Sequence, residues 1–268
     1  MPLTRYVKSP EQVARLQEAF ATPAFLQART LAITFETDPA IIAELLPPPL
    51  LPAAEPRVSV SVSVIGQSNC VGPFNGSSVN IACTYGGVEG LYCLTMPMST
   101  DTAVVFGREL YAEPKKLAAI ALEGAAPGHV RGTVTRHGVT YIELRGAFEA
   151  EPSEAGHESL SSHYYFKYLP SADGRGFAHD PQLVCVTHRG VTHRVARGSG
   201  TITFRESRHD PIIDLPVLSV TGTTYSEGET HTRAEVVATV TAEQFLPYAF
   251  AKMDDLTAWA VGGAPAPA

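Results

Sequence analysis

Hydrophobic and polar positions alternate most cleanly in Arg57–Val64, where Val58, Val60, Val62 and Val64 fall on one side and Ser59, Ser61 and Ser63 on the other. A period of two is that of a strand with one apolar and one polar face. The runs Val130–Arg136, Val139–Phe148, Thr201–Arg205, Val217–Tyr225 and Glu235–Thr241 are rich in Val, Thr and Tyr and lie between turn residues, so they read as further strands. Helical patterning is confined to a few places. Ser9-Pro10-Glu11 reads as the cap and first turn of a helix bearing Val13, Leu16 and Phe20, and Asp38-Pro39 opens a short helix that Pro47-Pro48-Pro49 ends. Leu117–Leu122 and the stretch Ala242–Ala260, which holds the single Trp259, also read as helical. Strands in series without alternating helices predict a mainly β (α+β) chain, an antiparallel sheet or barrel with peripheral helices rather than a doubly wound parallel sheet. One domain is expected over residues 1–261, followed by a disordered tail at 262–268.

Composition narrows the class of function. With 268 residues and 44% hydrophobic side chains the chain can bury a sizeable core. A formal charge of −7 without a basic run argues against nucleic acid as a partner. No apolar stretch is long enough for a membrane span or a signal peptide, so a soluble cytoplasmic protein is expected. Cys70, Cys83, Cys93 and Cys185 form no C-x-x-C pair, which points to buried thiols rather than a metal site or disulfide framework. The repeated Thr187-His188-Arg189 and Thr192-His193-Arg194 lack a nearby acidic ligand and read as a polar strand face.

The chemistry is concentrated in Gly107-Arg108-Glu109-Leu110-Tyr111-Ala112-Glu113-Pro114-Lys115-Lys116-Leu117. Two adjacent lysines beside apolar residues disfavour each other's charge, and a neutral amine is the nucleophile that forms a Schiff base with a ketone. A bare Lys-Lys pair is by itself the ordinary pattern of a solvated surface and decides nothing alone. Arg108 and Glu109 read as a structural ion pair shaping the loop.

The wider segment, GREL-x-A-x-PKKL, closely resembles the signature of the acetoacetate decarboxylase family. Thr37-Asp38 followed by Pro47-Pro48-Pro49-Leu50, GGVEG at Gly86–Gly90, DLPV at Asp214–Val217 and RAEV at Arg233–Val236 resemble the family's other segments in the same order. The resemblance implies a single cone-shaped antiparallel β-barrel, frequent homo-oligomers, Lys115 as the Schiff-base nucleophile, Lys116 as its electrostatic helper, and no metal or organic cofactor. Several family positions differ. Ser61 and Gly76 stand where the family has cavity glutamates, Ala28 stands where it has a substrate-facing arginine with Arg29 one residue on, and Glu113 replaces a residue that is usually aromatic. Met96 lies in a segment that resembles the family's cavity lining.

Glu113 is therefore the first candidate acid or base and Tyr225 the second, and Arg29, Ser61, Gly76, Met96 and Tyr225 form the expected substrate-binding set. A one-residue offset in a strand turns a side chain to the other face, so Arg29 reaches the cavity only through a bulge. The expected function is a lyase acting on a small oxo acid or ketone, with aldol, retro-aldol or dehydration chemistry favoured over decarboxylation because the decarboxylase charges are missing. A decarboxylase with a rebuilt carboxylate pocket and a non-catalytic ligand-binding barrel are the alternatives.

Overall fold

The computed structural model describes residues 4–259. In chain order its elements are α1 (Pro10–Ala21), β1 (Ala24–Glu36), α2 (Pro39–Leu45), β2 (Leu51–Pro52), β3 (Arg57–Ser68), β4 (Phe74–Tyr85), β5 (Val88–Met98), α3 (Asp101–Leu110), β6 (Lys115–Leu117), β7 (Ala119–Gly124), β8 (Gly128–Arg136), β9 (Val139–Phe148), β10 (Ser153–Lys167), β11 (Gln182–Arg197), β12 (Ser199–Phe204), β13 (Ser219–Thr239) and α4 (Ala242–Phe245). Among the described residues no helix is long and apolar enough to cross a membrane.

The strands form two sheets. The larger runs β2-β4-β3-β1-β13-β11-β10-β5-β6, and a further β4–β5 pairing closes it into a ring. The smaller, β12-β9-β8-β7, covers the outside of the ring. The Val/Ser alternation of β3 explains this layering. Val58, Val60 and Val62 are fully buried against the second sheet with Leu31, Ile33, Phe35, Val130, Val134, Ile142 and Leu144, and each such side chain contributes on the order of 2 kcal/mol through apolar burial. The sheets approach so closely at Gly132 that a Cβ there would lie 2.8 Å from the Cβ of Val62. The serines of β3 are left on the inner face, where Ser61 Oγ meets Ser78 Oγ at 3.0 Å and Ser63 Oγ meets Thr30 Oγ1 at 2.8 Å.

Several expectations change. Leu117–Leu122 is not helical: Leu117 ends β6, and after Ala118 the remaining residues lie in β7, paired to β8. Ala and Leu favour a helix only weakly, and ladder pairing outweighs them. The Ala242–Ala260 helix stops after one turn, because Pro247 follows; two 3-10 segments, Leu246–Lys252 and Leu256–Trp259, replace it, and Ala260 and the expected tail lie outside the described residues. Val217–Tyr225 and Glu235–Thr241 fall, apart from two residues at the outer end of each, within one long strand, β13. The ring is not antiparallel throughout, since β5 runs parallel to both β10 and β6. The Ser9 helix forms with a reciprocal Ser9–Gln12 capping box but buries none of its residues.

Candidate functional site

The lysine segment begins on α3, which Thr100 caps through its side chain. The helix ends at Leu110, the turn that follows holds Ala112 in the left-handed region at φ 62°, and the N–H of Glu113 returns to the carbonyl of Gly107 at 3.2 Å. A non-glycine residue there costs on the order of 1 kcal/mol. The turn directs Glu113 back beneath its own helix. The chain then extends into β6, paired in parallel with β5 so that Met96 lies opposite Lys115.

Lys115 Nζ and Glu113 Oε2 are 2.7 Å apart, and both side chains are almost wholly buried, with 6% and 7% exposed. They lie at an apolar cluster of Cys93, Phe106, Tyr111, Tyr165, Val184 and Val186, against which Cys70 and Met96 also pack. Burial pushes the Cys93 thiol and the Tyr111 and Tyr165 hydroxyls upward, so all three stay protonated near neutrality; the Glu113 charge pushes in the same direction. Gly107 makes the close approach of α3 feasible: a Cβ there would sit 1.9 Å from Glu113 Oε2 and 2.5 Å from Lys115 Nζ.

Lys116, next along the strand, points the other way. Its Nζ donates to the carbonyl of His209 at 2.8 Å and to Asp210 Oδ1 at 3.0 Å, in a buried network in which Arg136 also binds Asp210 and Asp254. Burial lowers the affinity of Lys116 for its proton, and Asp210 opposes that effect. The electrostatic help expected from Lys116 therefore has to cross a strand from an ammonium already paired with a carboxylate. Arg108 does not pair with Glu109, which is exposed; its guanidinium donates to the carbonyl oxygens of Lys115 and Lys252 and so fixes the lysine's backbone.

The other sequence candidates divide between the two faces of the ring. Ser61, Ser78 and Asn80 are linked by side-chain hydrogen bonds and lead to Cys93, the cross-strand partner of Asn80, so Ser61 shares the lysine's inner face. At Gly76 the space of a side chain is occupied by Met98, whose Sδ and Cε would lie 3.1 Å from a Cβ. Arg29 and Tyr225 are on the outside. β1 does bend at Gln27, yet Arg29 stays on the face of Leu31, Ile33 and Phe35 and is exposed. Its guanidinium lies beside the Tyr225 hydroxyl, which donates to Glu227 at 3.2 Å, while the Tyr225 ring packs on Phe148 of the second sheet. Neither residue meets Lys115.

Other residues lie on the lysine's face, among them His188 of the Thr187-His188-Arg189 repeat, which the sequence pattern assigns to a polar strand face but which packs inward against His163 and Thr232. His163 and Tyr165 alternate on the inner face of β10, and His188 joins them from β11. The rings of His163 and His188 are perpendicular with centroids 4.5 Å apart, and His188 Nδ1 lies 3.1 Å from Thr232 Oγ1. Burial brings the imidazoles of His163 and His188 down to about 3 and about 4, with the His188 charge adding to the effect at His163 and the Lys115 charge adding to it at His188, so both are neutral at pH 7. The signal available for finding them was the period-two run Ser161-Ser162-His163-Tyr164-Tyr165. Elsewhere, His137, His209 and Asp254 bring three ligand atoms within 4.8 Å of one another, but Asp254 is bound by Arg136 and lies 3.8 Å from the Lys116 ammonium, a cationic setting that disfavours a metal ion.

Comparison with known proteins agrees with this architecture. Residues 4–240 match the family model described as acetoacetate decarboxylase. Acetoacetate decarboxylase of Burkholderia multivorans is 28% identical over 200 residues, covering 73% of this chain and 80% of its own, and that of Ralstonia nicotianae is 26% identical over 209 residues with the same coverage. Among solved structures, acetoacetate decarboxylase from Legionella pneumophila superposes with a TM-score of 0.73 at 19% identity, covering 89% of this chain and 93% of its own. The enduracididine biosynthesis enzyme MppR complexed with pyruvate superposes at 0.67 and 18% identity, over 81% and 90% of the two chains.

Proposed function

Since the chain belongs to the acetoacetate decarboxylase family, we propose that it is a Schiff-base lyase in which Lys115 attacks the carbonyl of a small ketone or oxo acid and Glu113 moves the protons. The buried 2.7 Å contact between Lys115 Nζ and Glu113 Oε2 carries this reading. Glu113 takes a proton from the ammonium, the freed pair attacks the carbonyl carbon, and the oxygen accepts protons and leaves as water, giving an iminium. No metal or organic cofactor is needed, because the iminium is itself the electron sink.

The fate of the iminium depends on the acid and base available. In a β-hydroxy ketone, Glu113 removes the hydroxyl proton, the carbon–carbon pair moves into the iminium to give an enamine, and an aldehyde departs. Protonation of the enamine carbon and hydrolysis then return the ketone and Lys115. Retro-aldol cleavage, or its reverse, or loss of the β-hydroxyl, is favoured over decarboxylation because Ser61 and Gly76 supply no carboxylates and Arg29 lies on the outer face. Simple decarboxylation is the second reading, favoured by the family match and by the curated relatives.

Borohydride reduction in the presence of pyruvate or acetoacetate, with the adduct located by mass spectrometry, tests the nucleophile. The adduct is expected on Lys115 and absent from Lys115→Ala; no adduct on Lys115 in the wild-type chain overturns the proposal. Glu113→Gln is expected to slow trapping by roughly 10²–10⁴. Release of CO2 from acetoacetate at an enzyme-like rate would transfer the assignment to the decarboxylase.

A further inference from the structure

We propose that His163 and Tyr165 form a subsite for an uncharged oxygen, so that the preferred substrate is a neutral hydroxy ketone or diketone rather than an oxo acid. The inference rests on imine formation at Lys115 and adds the substrate class. Among the described residues, His163 Nδ1 and the Tyr165 hydroxyl are buried polar atoms with no hydrogen-bond partner, and such atoms are costly unless something completes them. The two side chains are two residues apart on one strand face, and both lie within reach of the Glu113 charge.

Their orientation is fixed from behind. His163 Nε2 lies 3.3 Å from Ser161 Oγ, its ring stands edge-on to His188, and His188 is held in turn by Thr232. On these two side chains the free positions are therefore one imidazole nitrogen and one phenol, while Glu113 Oε2, apart from its ion pair with Lys115, and Asn80 Oδ1 are further buried oxygens without a hydrogen-bond partner. A phenol donates, and a neutral imidazole donates or accepts at Nδ1 according to its tautomer. That combination matches a hydroxyl or a carbonyl. A carboxylate instead brings a full charge into a buried wall where it needs a compensating cation. The cation at hand, Lys115, is already balanced by Glu113, while Arg29 lies beside Tyr225 and Arg194 approaches Glu227 at 3.6 Å, both on the outer face.

Three carbonyl compounds of one carbon skeleton separate the cases: acetone, hydroxyacetone and pyruvate, each titrated in the borohydride trapping of Lys115. Hydroxyacetone is expected to half-saturate about tenfold below acetone, the effect of one hydrogen bond between neutral groups, with pyruvate no better than acetone. In His163→Leu and in Tyr165→Phe the ratio between hydroxyacetone and acetone is expected to fall close to one, and if either variant fails to fold the other decides. A ratio near one in the wild-type chain, a ratio that survives in a folded variant, or pyruvate half-saturating below hydroxyacetone overturns the subsite while leaving the imine intact. No adduct from any of the three overturns the imine reading and the subsite with it.

Discussion

At the scale of single residues, the Lys115–Glu113 contact depends on a side chain that is not there. Gly107 lets the backbone of α3 pass over Glu113 and Lys115 at a distance no methyl group tolerates. Gly107→Ala also suits a helix interior better than glycine, so local propensity and site geometry oppose each other at this position. The expected result is a protein that still folds but traps ketones at Lys115 about 10²-fold more slowly, because a displacement near 1 Å suffices to misalign reacting groups. The borohydride assay alongside circular dichroism checks both halves of that expectation. Glu113 meets Lys115 not through the extended run that their two-residue spacing suggests but across a tight turn at Pro114, where the Lys115 N–H donates to the Glu113 carbonyl at 2.7 Å. Gly107 was not legible as a site residue, since nothing in a helical pattern says which turn will face a chain segment six residues ahead.

At the scale of elements, β6 is only three residues long, yet its alternation sorts two chemically identical neighbours into separate environments. Lys115 meets Glu113 on the inside, and Lys116 joins Asp210 on the outside. Lys116→Met should therefore destabilise the fold by about 3 kcal/mol, the low end for breaking a buried pair, because Arg136 still satisfies Asp210. The same substitution should leave the pH midpoint of Lys115 trapping where it is in the wild-type chain. Urea unfolding and the trapping profile measure the two separately, and a shifted midpoint would restore Lys116 as an electrostatic helper. Alternation is also what made parts of the fold legible. β3 announced itself because one face is apolar and the other hydroxylated, and the short helices announced themselves through Ser9, Asp38 and their prolines. β4 and β5 did not, since they are buried on both faces and carry Ser77, Asn80 and Cys93 where a simple pattern expects one apolar stripe. Arg29 shows the same rule from the other side: its one-residue offset from the family position leaves it on the outer wall despite the bend at Gln27.

At the scale of the whole molecule, acid is expected to act through the inner wall. His163 and His188 bind protons at about 3 and about 4 in the fold, against 6.5 for an ordinary histidine. The unfolded chain thus takes up protons that the native wall refuses. Stability is complete above pH 6.5 and falls as the pH drops toward 4, by up to about 1.4 kcal/mol per pH unit for each histidine, in a wall that Glu113, Lys115, Ser161 and Thr232 also face. His163→Asn should flatten that limb of a urea-midpoint curve and leave the part above pH 6.5 unchanged in shape. Below about pH 4.5 a second decline is expected, because the unfolded chain protonates Glu143 there while hydrogen bonds from Arg205 and Arg131 hold it ionised in the fold down to about 2. The closure of the ring has an effect in time as well as in space. β1 near the beginning of the chain pairs with β13 near its end, Ala24 facing His231. Contacts so distant in sequence form late and slowly. As the chain leaves the ribosome, Lys115 emerges before β13, the strand that completes the ring, has been made. On the proposed Schiff-base reading, a chain that has not yet closed its ring is expected to trap carbonyl compounds at Lys115 poorly, because the contact with Glu113 is not yet enclosed.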